Sequence, residues 1–316
     1  MASSTSVVLA ALFANGAIAV LKFGGFLLTG SPAMLSETYH SISDTGNQIF
    51  LLVGIRYGAQ EANRTHPFGH GKAQFFYSFL VSVMLFGIAG WESATHGYEA
   101  LTHGGVHRTN EPVSLLGTTF DPVYVNYAVL LGAIAFEAYA FHKAYQGITR
   151  QMAAHGWESF REAFHKTSDV TTLTALTEDT IALAGAGIAL LGIYLSRVYE
   201  NPIYDAGAAL LIGILLMGFA VALAWENKRL LLGESLPEPA EDELRAIVAG
   251  WDGVTDVVDF RTVYFGAEEL LVAADVAFEP DLDTETIDER ITAIELALMD
   301  HDEQVQKVYI EPETIE

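Results

Sequence analysis

The chain has 316 residues, and 51% of them are hydrophobic and gathered into long apolar runs, which is typical of an integral membrane protein. It contains no cysteine, which excludes disulfides and thiolate metal sites and leaves His, Asp and Glu as the strong metal ligands. Its 40 acidic and 16 basic residues give a net charge of −24, and we expect no nucleic-acid partner.

Six apolar runs follow one another, each close to the ~20 residues that are needed to cross the hydrocarbon core of a bilayer. They cover residues 6–29, 33–57, 74–100, 123–146, 171–196 and 204–227. The first run has no positively charged region before it, so we expect it to remain as a helix and not to be a cleaved signal peptide. The pattern predicts a polytopic α-helical membrane protein with six transmembrane helices over residues 1–232.

The first and fourth runs each contain a charged residue at the depth of the lipid, Lys22 and Glu137. An isolated charge inside a bilayer is unfavourable, and such residues normally pair with one another. We therefore expect Lys22 and Glu137 to form an ion pair between neighbouring helices.

The second run carries a polar face. Glu37, His40, Asp44 and Asn47 follow one another at intervals of three, four and three residues, which stacks them on one side of a helix. Ionisable residues inside a membrane face a cavity, pair with other polar groups or hold an ion. His40 and Asp44, one turn apart, are suited to bind a divalent metal. The alternative is a polar seam for helix packing, to which Asn47 and Ser41 contribute hydrogen bonds.

Residues 66–72, HPFGHGK, connect the second and third runs. His66 and His70 are close enough in sequence to share a metal ion. The same residues also suit a tight turn that caps the third helix, with Lys72 extending to the lipid headgroups. The residues by themselves favour neither interpretation.

The fifth run contains two adjacent carboxylates, Glu178 and Asp179. Neighbouring residues on a helix point about 100° apart, so only one of them can face a cation site directly. We expect this one to be Asp179, because Ala175 and Ala182 leave space beside it. The alternative is that the helix ends near Thr177 and the two acids form an exposed N-terminal turn.

Positive charges are concentrated on one side of the predicted bundle, which is expected to be cytoplasmic. This side carries Arg56, Arg64, Lys72, Lys143, Arg150, Arg161, Lys166, Lys228 and Arg229, and the other side Arg108 and Arg197. An even number of spans then places both termini in the cytoplasm, and we expect the protein in the cell membrane.

Residues 233–316 are predicted to form a soluble cytoplasmic domain with 24 acidic and 4 basic residues, a net charge of −20. Helix, strand, strand, helix and strand are expected at residues 239–250, 254–264, 269–279, 284–299 and 304–311. This αββαβ order suits a ferredoxin-like α+β domain with helices on one face of a sheet. The acidity, together with only six lysines in the chain, is typical of a protein from a halophile such as a halophilic archaeon.

Four segments together resemble the cation diffusion facilitators, a family of six-helix metal exporters with a cytoplasmic αββαβ domain. They are SPAMLSETYHSISDTGNQ at 31–48, HPFGHGK at 66–72, LTEDTIALAG at 176–185 and NPIYDAGA at 201–208. The resemblance spans nearly the whole chain. The third and fourth segments are most similar to the branch that includes the mitochondrial zinc transporter of animals.

The resemblance implies a transport site with two ligands on the second helix and two on the fifth. The matching positions are His40, Asp44, Ala175 and Asp179. Because Ala175 cannot coordinate a metal, three protein ligands remain. Water or one of two further carboxylates, Glu178 and Glu37, would complete the shell.

The resemblance also places the loop histidines of the family at His66 and His70, with an acidic loop ligand near Asn63. Many members bind metal in the cytoplasmic domain through histidines. His301 is the only histidine of this tail, so we expect a metal site there to be absent or built from carboxylates.

The function implied is efflux of a divalent cation, with Zn2+ as the expected substrate, by a homodimer that exchanges metal for protons through alternating access. We expect neither an enzyme nor a prosthetic group. An exporter of Mn2+, Fe2+ or Co2+ is the first alternative, since a site with three protein ligands and water accepts these metals. A metal-sensing membrane protein without flux and a membrane metalloenzyme are further alternatives, although no HExxH motif is present.

Overall fold

The computed structural model describes residues 2–103, 113–115, 118–155, 159, 170–267 and 269–314. Side chains are described in these ranges except at residues 2–8, 10–11, 113–115, 118–120, 154–155 and 170–175. Three basic residues that entered the prediction of topology, Arg108, Arg161 and Lys166, lie outside the described residues.

Long helices make up most of the chain before residue 233. In order they are α1 (Ala2–Thr29), α2 (Pro32–Gly58), α3 (Ala73–Met84), α4 (Trp91–Thr102), α5 (Val123–His155), α6 (Val170–Val198) and α7 (Ile203–Leu232). A six-residue π-helical segment, Leu85–Gly90, joins α3 to α4. The short strands β1 (Val113–Leu115) and β2 (Thr118–Phe120) form an antiparallel pair before α5.

Five helical stretches of the described residues are long and apolar enough to cross a membrane. They are Leu12–Thr29, Ala73–Thr102, Val123–Ala153, Leu176–Val198 and Ile203–Leu232. α2 is as long as the others but carries the polar face predicted from the sequence, which makes it less apolar. The protein is therefore a multi-pass helical membrane protein with about five apolar helices, and the sixth span stays a prediction.

Backbone contacts divide the chain into two compact units. One contains residues 1–52 and 78–225, and the other contains residues 53–77 and 226–316. The connection between α2 and α3 thus belongs with the C-terminal residues. The sequence instead predicted two domains at 1–232 and 233–316, and these stay predictions.

The core of the first unit is formed by large apolar side chains from α2, α5, α6 and α7. Met34, Leu130, Ile193, Ile212 and Leu216 are each at most 2% exposed. They belong to one contiguous cluster, which also contains several alanines. This packing fixes the helices that carry the candidate site.

Glycines allow α4 and α7 to pack with their backbones almost touching. A Cβ atom on Gly97 would overlap the backbone of Leu210, and a Cβ atom on Gly213 would overlap the backbone of Ala94. Helices in lipid gain little from the hydrophobic effect between them and associate through such close van der Waals packing. Side chains larger than hydrogen are therefore excluded at both positions.

The second unit contains a small sheet domain. Its elements are α8 (Glu238–Ala249), β3 (Val254–Gly266), β4 (Glu269–Phe278), α9 (Thr284–His301) and β5 (Val305–Glu313). The strand order is β3-β4-β5, with β3 antiparallel and β5 parallel to β4. A parallel pair needs a long crossover connection, and α9 provides it.

Buried side chains at alternate positions of β4 lie in the core of this domain. Leu270, Val272, Ala274 and Val276 occupy alternate positions of β4, and each is at most 3% exposed. A strand with one face covered is expected to show this pattern. Side chains of α8 and α9, among them Leu298, pack in the same apolar cluster. Both helices therefore contribute to a single core with the sheet.

We predict that Gly213→Ala lowers the stability of the helical unit, because the added methyl group forces the backbones of α4 and α7 apart. Overpacking of this kind costs about 1–3 kcal/mol. Gly218 is the matched control in the same helix, since a Cβ atom there has no neighbour within 4 Å. Thermal unfolding of both variants in detergent, followed by circular dichroism, measures the effect. Equal midpoints for the two variants would contradict the close approach of α4 and α7.

Candidate metal site

α2 is fixed at its N-terminus by Asp205, which lies in the first turn of α7. Asp205 Oδ1 accepts hydrogen bonds from the Ser31 hydroxyl at 2.9 Å and from the Ala33 backbone N–H at 3.1 Å. Ser31 Oγ accepts in turn from the Met34 backbone N–H at 3.1 Å, as an N-cap residue does. The carboxylate also lies at the positive end of the α2 dipole, which favours its negative charge. No pattern in the sequence indicates this role of Asp205.

The polar face of α2 is buried within the helical unit. Glu37 is fully buried, His40 is 2% exposed and the Asp44 side chain is 17% exposed. Neither ring nitrogen of His40 has a hydrogen-bond partner among the described residues, and Asp44 Oδ1 lies 3.5 Å from His40 Nδ1. A neutral imidazole always offers one nitrogen lone pair, so His40 keeps an acceptor that a metal ion can use.

α2 contacts α6 through polar side chains at two levels. Asn47 Nδ2 donates to Glu178 Oε1 at 3.4 Å. Nearer the start of α2, Glu37 Oε1 lies over Gly185, where a Cβ atom would be only 2.7 Å away from it. The order of the contacts along α2 is reversed along α6, so the two helices are antiparallel.

The predicted ligands lie between these two contacts. His40 and Asp44 occupy this stretch of α2, and Asp179 occupies the facing stretch of α6. The negative charges of Asp44 and Asp179 are close enough to repel each other. Glu178 is likewise repelled by Asp44 and is attracted by His40 when that ring is protonated. The structure therefore brings the predicted residues of the two helices to one interface.

These side chains do not form a closed coordination shell. Within the part of the chain that the structure describes, no three His, Asp or Glu side chains are close enough together to hold a metal ion. α6 runs without interruption from Val170 to Val198, so the alternative of a helix end near Thr177 is wrong. The side chain of Ala175, at the position of the missing ligand, lies outside the described residues.

The predicted direct pairing of Lys22 with Glu137 is wrong. Lys22 Nζ instead donates to Glu37 Oε2 at 2.7 Å, and the two side chains are 3% and 0% exposed. The short connection between α1 and α2 places both residues at a similar depth, which the periodicity of either helix alone does not reveal. Glu37, predicted as a possible extra ligand, therefore has one oxygen engaged and one, Oε1, without a hydrogen-bond partner among the described residues.

The second compact unit contains the loop histidines. The ring centroids of His66 and His70 are 4.2 Å apart. Gly69, with a φ of 87°, donates its N–H to the His66 carbonyl, and Ala73 donates to the His70 carbonyl. These bonds form the turn that leads into α3, which confirms the predicted turn. The predicted sharing of a metal stays a prediction.

Hydrogen bonds at Nδ1 orient both of these rings. His70 Nδ1 lies 3.3 Å from the Gln60 carbonyl, which can only accept, so Nδ1 carries the proton. Thr65 Oγ1 donates its single proton to Asn63 Oδ1 at 2.6 Å and therefore accepts from His66 Nδ1 at 3.2 Å. In neutral rings that donate through Nδ1, the two Nε2 atoms are acceptors, which is the form that binds a metal. Asn63, at the position of an acidic ligand in the resemblance, thus orders the turn.

Comparison with known proteins gives a match to one domain family. The model described as "Cation efflux transmembrane domain" matches residues 8–232. Among curated proteins, "Proton-coupled zinc antiporter SLC30A9, mitochondrial" of Homo sapiens is 28% identical over 303 residues, 96% of this chain and 49% of that protein. The chain thus spans about half the length of this relative.

Two further similarities involve magnetosome proteins. "Magnetosome protein MamM" of Paramagnetospirillum magneticum is 24% identical over 317 residues, 99% of this chain and 89% of that protein. A solved structure of the MamM CTD in a cadmium form is 18% identical, covers 25% of this chain and 98% of that chain, and has a TM-score of 0.24.

We predict that Gly185→Ala destabilises the interface of α2 and α6, because the new methyl group overlaps the Glu37 carboxylate and pushes it away from Lys22. The expected loss is about 1–3 kcal/mol, again from overpacking. Gly187→Ala is the control on the same helix, since a Cβ atom there has no neighbour within 4 Å. The measurement is the thermal midpoint in detergent, and a midpoint of Gly185→Ala at or above that of Gly187→Ala would show that Glu37 does not lie over Gly185.

Proposed function

This chain belongs to the cation efflux family, a family of transporters, and we propose that it exports Zn2+ from the cytoplasm in exchange for protons. The main support for this function comes from the polar residues at the interface of α2 and α6. There His40, whose ring nitrogens have no hydrogen-bond partner among the described residues, and Asp44 lie opposite the stretch of α6 that contains Asp179, in a bundle of apolar helices. Ionisable residues in such surroundings mark the path of an ion.

We assign His40, Asp44 and Asp179 as the protein ligands of the transported ion. Closure of α2 against α6 around the cation would complete the shell, with the fourth position taken by water or by Glu178. Glu178 is the better placed of the two further carboxylates, because Lys22 holds Glu37 in an ion pair at 2.7 Å while Glu178 accepts only a 3.4 Å hydrogen bond from Asn47. His66 and His70, with both Nε2 atoms as acceptors, form a second candidate site in the loop.

Exchange for protons follows from the chemistry of these ligands. Imidazole and carboxylate bind a divalent cation only when they are deprotonated, so metal binding releases protons and protonation releases metal. Alternating exposure of the site to the two sides of the membrane converts this competition into antiport. The human relative is named as a proton-coupled zinc antiporter, which supports the same coupling here.

The architecture of the proposed transporter includes α2 as a sixth span. Its polar face is turned into the bundle and matched by other helices, so its lower apolarity does not prevent insertion. We further propose that both termini and the αββαβ domain lie in the cytoplasm, as the distribution of basic residues predicts. The cell membrane is the proposed location, and a homodimer paired through this domain is the proposed assembly.

Mn2+, Fe2+ or Co2+ is the second candidate substrate, and a specific observation favours it. The position of the fourth family ligand is Ala175, which leaves a site open to water. Metals that prefer more oxygen ligands and higher coordination numbers than zinc accept such a site. A sensor without flux and a metalloenzyme are separated from both candidates by the uptake measurement below.

We predict that Asp44→Ala and Asp179→Ala each abolish uptake of Zn2+ into sealed vesicles that contain the purified protein, because each removes one of only three protein ligands. The measurement is the initial rate of uptake across a set pH gradient. Asp281→Ala, which removes an exposed carboxylate of the C-terminal domain, is the control and should retain the parent rate. Transport at the parent rate by either Asp44→Ala or Asp179→Ala would refute the site.

We predict that Ala175→His tightens the binding of Zn2+ relative to Mn2+, because a second imidazole completes a tetrahedral shell that zinc prefers. Metal titrations in detergent give the two affinities for the parent and for the variant. Thr180→His, at an exposed position of the same helix, is the control. An unchanged ratio of affinities in Ala175→His would show that α2 and α6 do not share one metal.

A further inference from the structure

The ion pair between Lys22 and Glu37 lies directly beside the proposed ligands. Glu37 precedes His40 by three residues on α2, and residues at this spacing are neighbours on the helix surface, about 5–6 Å apart at Cβ. Glu37 also interacts electrostatically with both His40 and Asp44. Its carboxylate therefore lies on the same helix face as the proposed ligands, next to His40.

Only one oxygen of this carboxylate is engaged. Oε2 accepts from Lys22 Nζ at 2.7 Å, whereas Oε1 is buried without a hydrogen-bond partner among the described residues. A buried carboxylate oxygen without a donor is unfavourable, and it binds a cation readily when one comes within reach. The bond to Lys22 is what holds Glu37 in place.

Lys22 is suited to this restraint. Its side chain is 3% exposed, and its ammonium group also interacts electrostatically with Asp44 and Glu137. An ammonium group has three donors and no acceptor, so it pairs with a carboxylate but cannot ligate a metal. In lipid, a broken pair would leave two uncompensated charges, which keeps Lys22 and Glu37 together.

We propose that Lys22 is a positioning residue that keeps Glu37 out of the coordination shell of the transported metal. This inference rests on the proposed function. With Glu37 bonded to Lys22, the ion has three protein ligands and exchangeable water, and it dissociates after the site opens. With Glu37 released, a third carboxylate enters the shell in place of the ligand missing at Ala175, and the ion is held more tightly and released more slowly.

The test is a set of variants whose Zn2+ affinity is measured in detergent by competition with a chelating dye and whose uptake is measured in vesicles. Lys22→Met should bind Zn2+ about tenfold more tightly than the parent, because the released Glu37 adds a ligand. The size of this change is that of other groups around a metal site that control its ligands. Its uptake at saturating Zn2+ should be slower. A purely structural role of Lys22 would instead weaken binding and slow uptake together.

The double variant Lys22→Met/Glu37→Gln identifies the group that is released. Its affinity should return toward the parent value, because the neutral amide is a poor ligand for Zn2+. Glu37→Gln alone leaves the ammonium group beside Asp44 and should weaken binding. Lys143→Met, which removes an exposed lysine of α5, is the matched control and should leave both quantities unchanged.

Parent-like or weaker binding by Lys22→Met overturns the proposal, and so does a double variant that binds as tightly as Lys22→Met. Should Lys22→Met fail to give a folded protein, Lys22→Ala decides in the same way, since its side chain likewise lacks the donor that holds Glu37. Should the parent bind Zn2+ but move none into vesicles, the proposed function fails, and the series of affinities still decides the role of Lys22.

Discussion

The unfavourable free energy of a buried charge determines how α2 is held in this protein. α2 carries a polar face through a bundle whose other long helices are apolar, and each group on that face needs a partner on another helix. α1 supplies Lys22 for Glu37, α6 supplies Glu178 for Asn47, and α7 supplies Asp205 for the N-terminal end. The position and the direction of α2 follow from these three contacts.

His40 is the exception on this face. Its ring is buried, yet neither nitrogen has a hydrogen-bond partner among the described residues, and Asp44 approaches only to 3.5 Å. Buried polar atoms are nearly always satisfied, so a ring with neither nitrogen bonded is notable. A ligand bound to His40 would recover the free energy given up there, which agrees with the proposed transport site.

The loop histidines are arranged differently. Both rings have a partner for Nδ1, one a backbone carbonyl and the other the Thr65 hydroxyl, and the turn around Asn63 fixes them. Groups that orient a histidine in this way increase the affinity of a metal site. His40 has no such group among the described residues, so an ion at the proposed site would be held less firmly. Weak orientation suits a transport site, where release matters as much as binding.

The sequence by itself determined the class of the protein, the helices and the residues that could act. Apolar runs predicted helices at all of the positions where long helices occur, and spacing along α2 predicted the face that is buried. Alternation predicted the strands of the small domain. These features depend on local periodicity and on the hydrophobic effect, which the order of residues along one element records.

Only the tertiary structure decided which polar groups meet. The sequence predicted Glu137 as the partner of Lys22, whereas the observed pairing with Glu37 depends on the relative depth and rotation of α1 and α2. The same holds for Asp205 at the start of α2 and for Gly185 below Glu37, which have no distinctive periodicity in the sequence. Periodicity fixes the face that a helix presents but not the neighbour that it meets, because contacts between helices depend on how all of the side chains pack together.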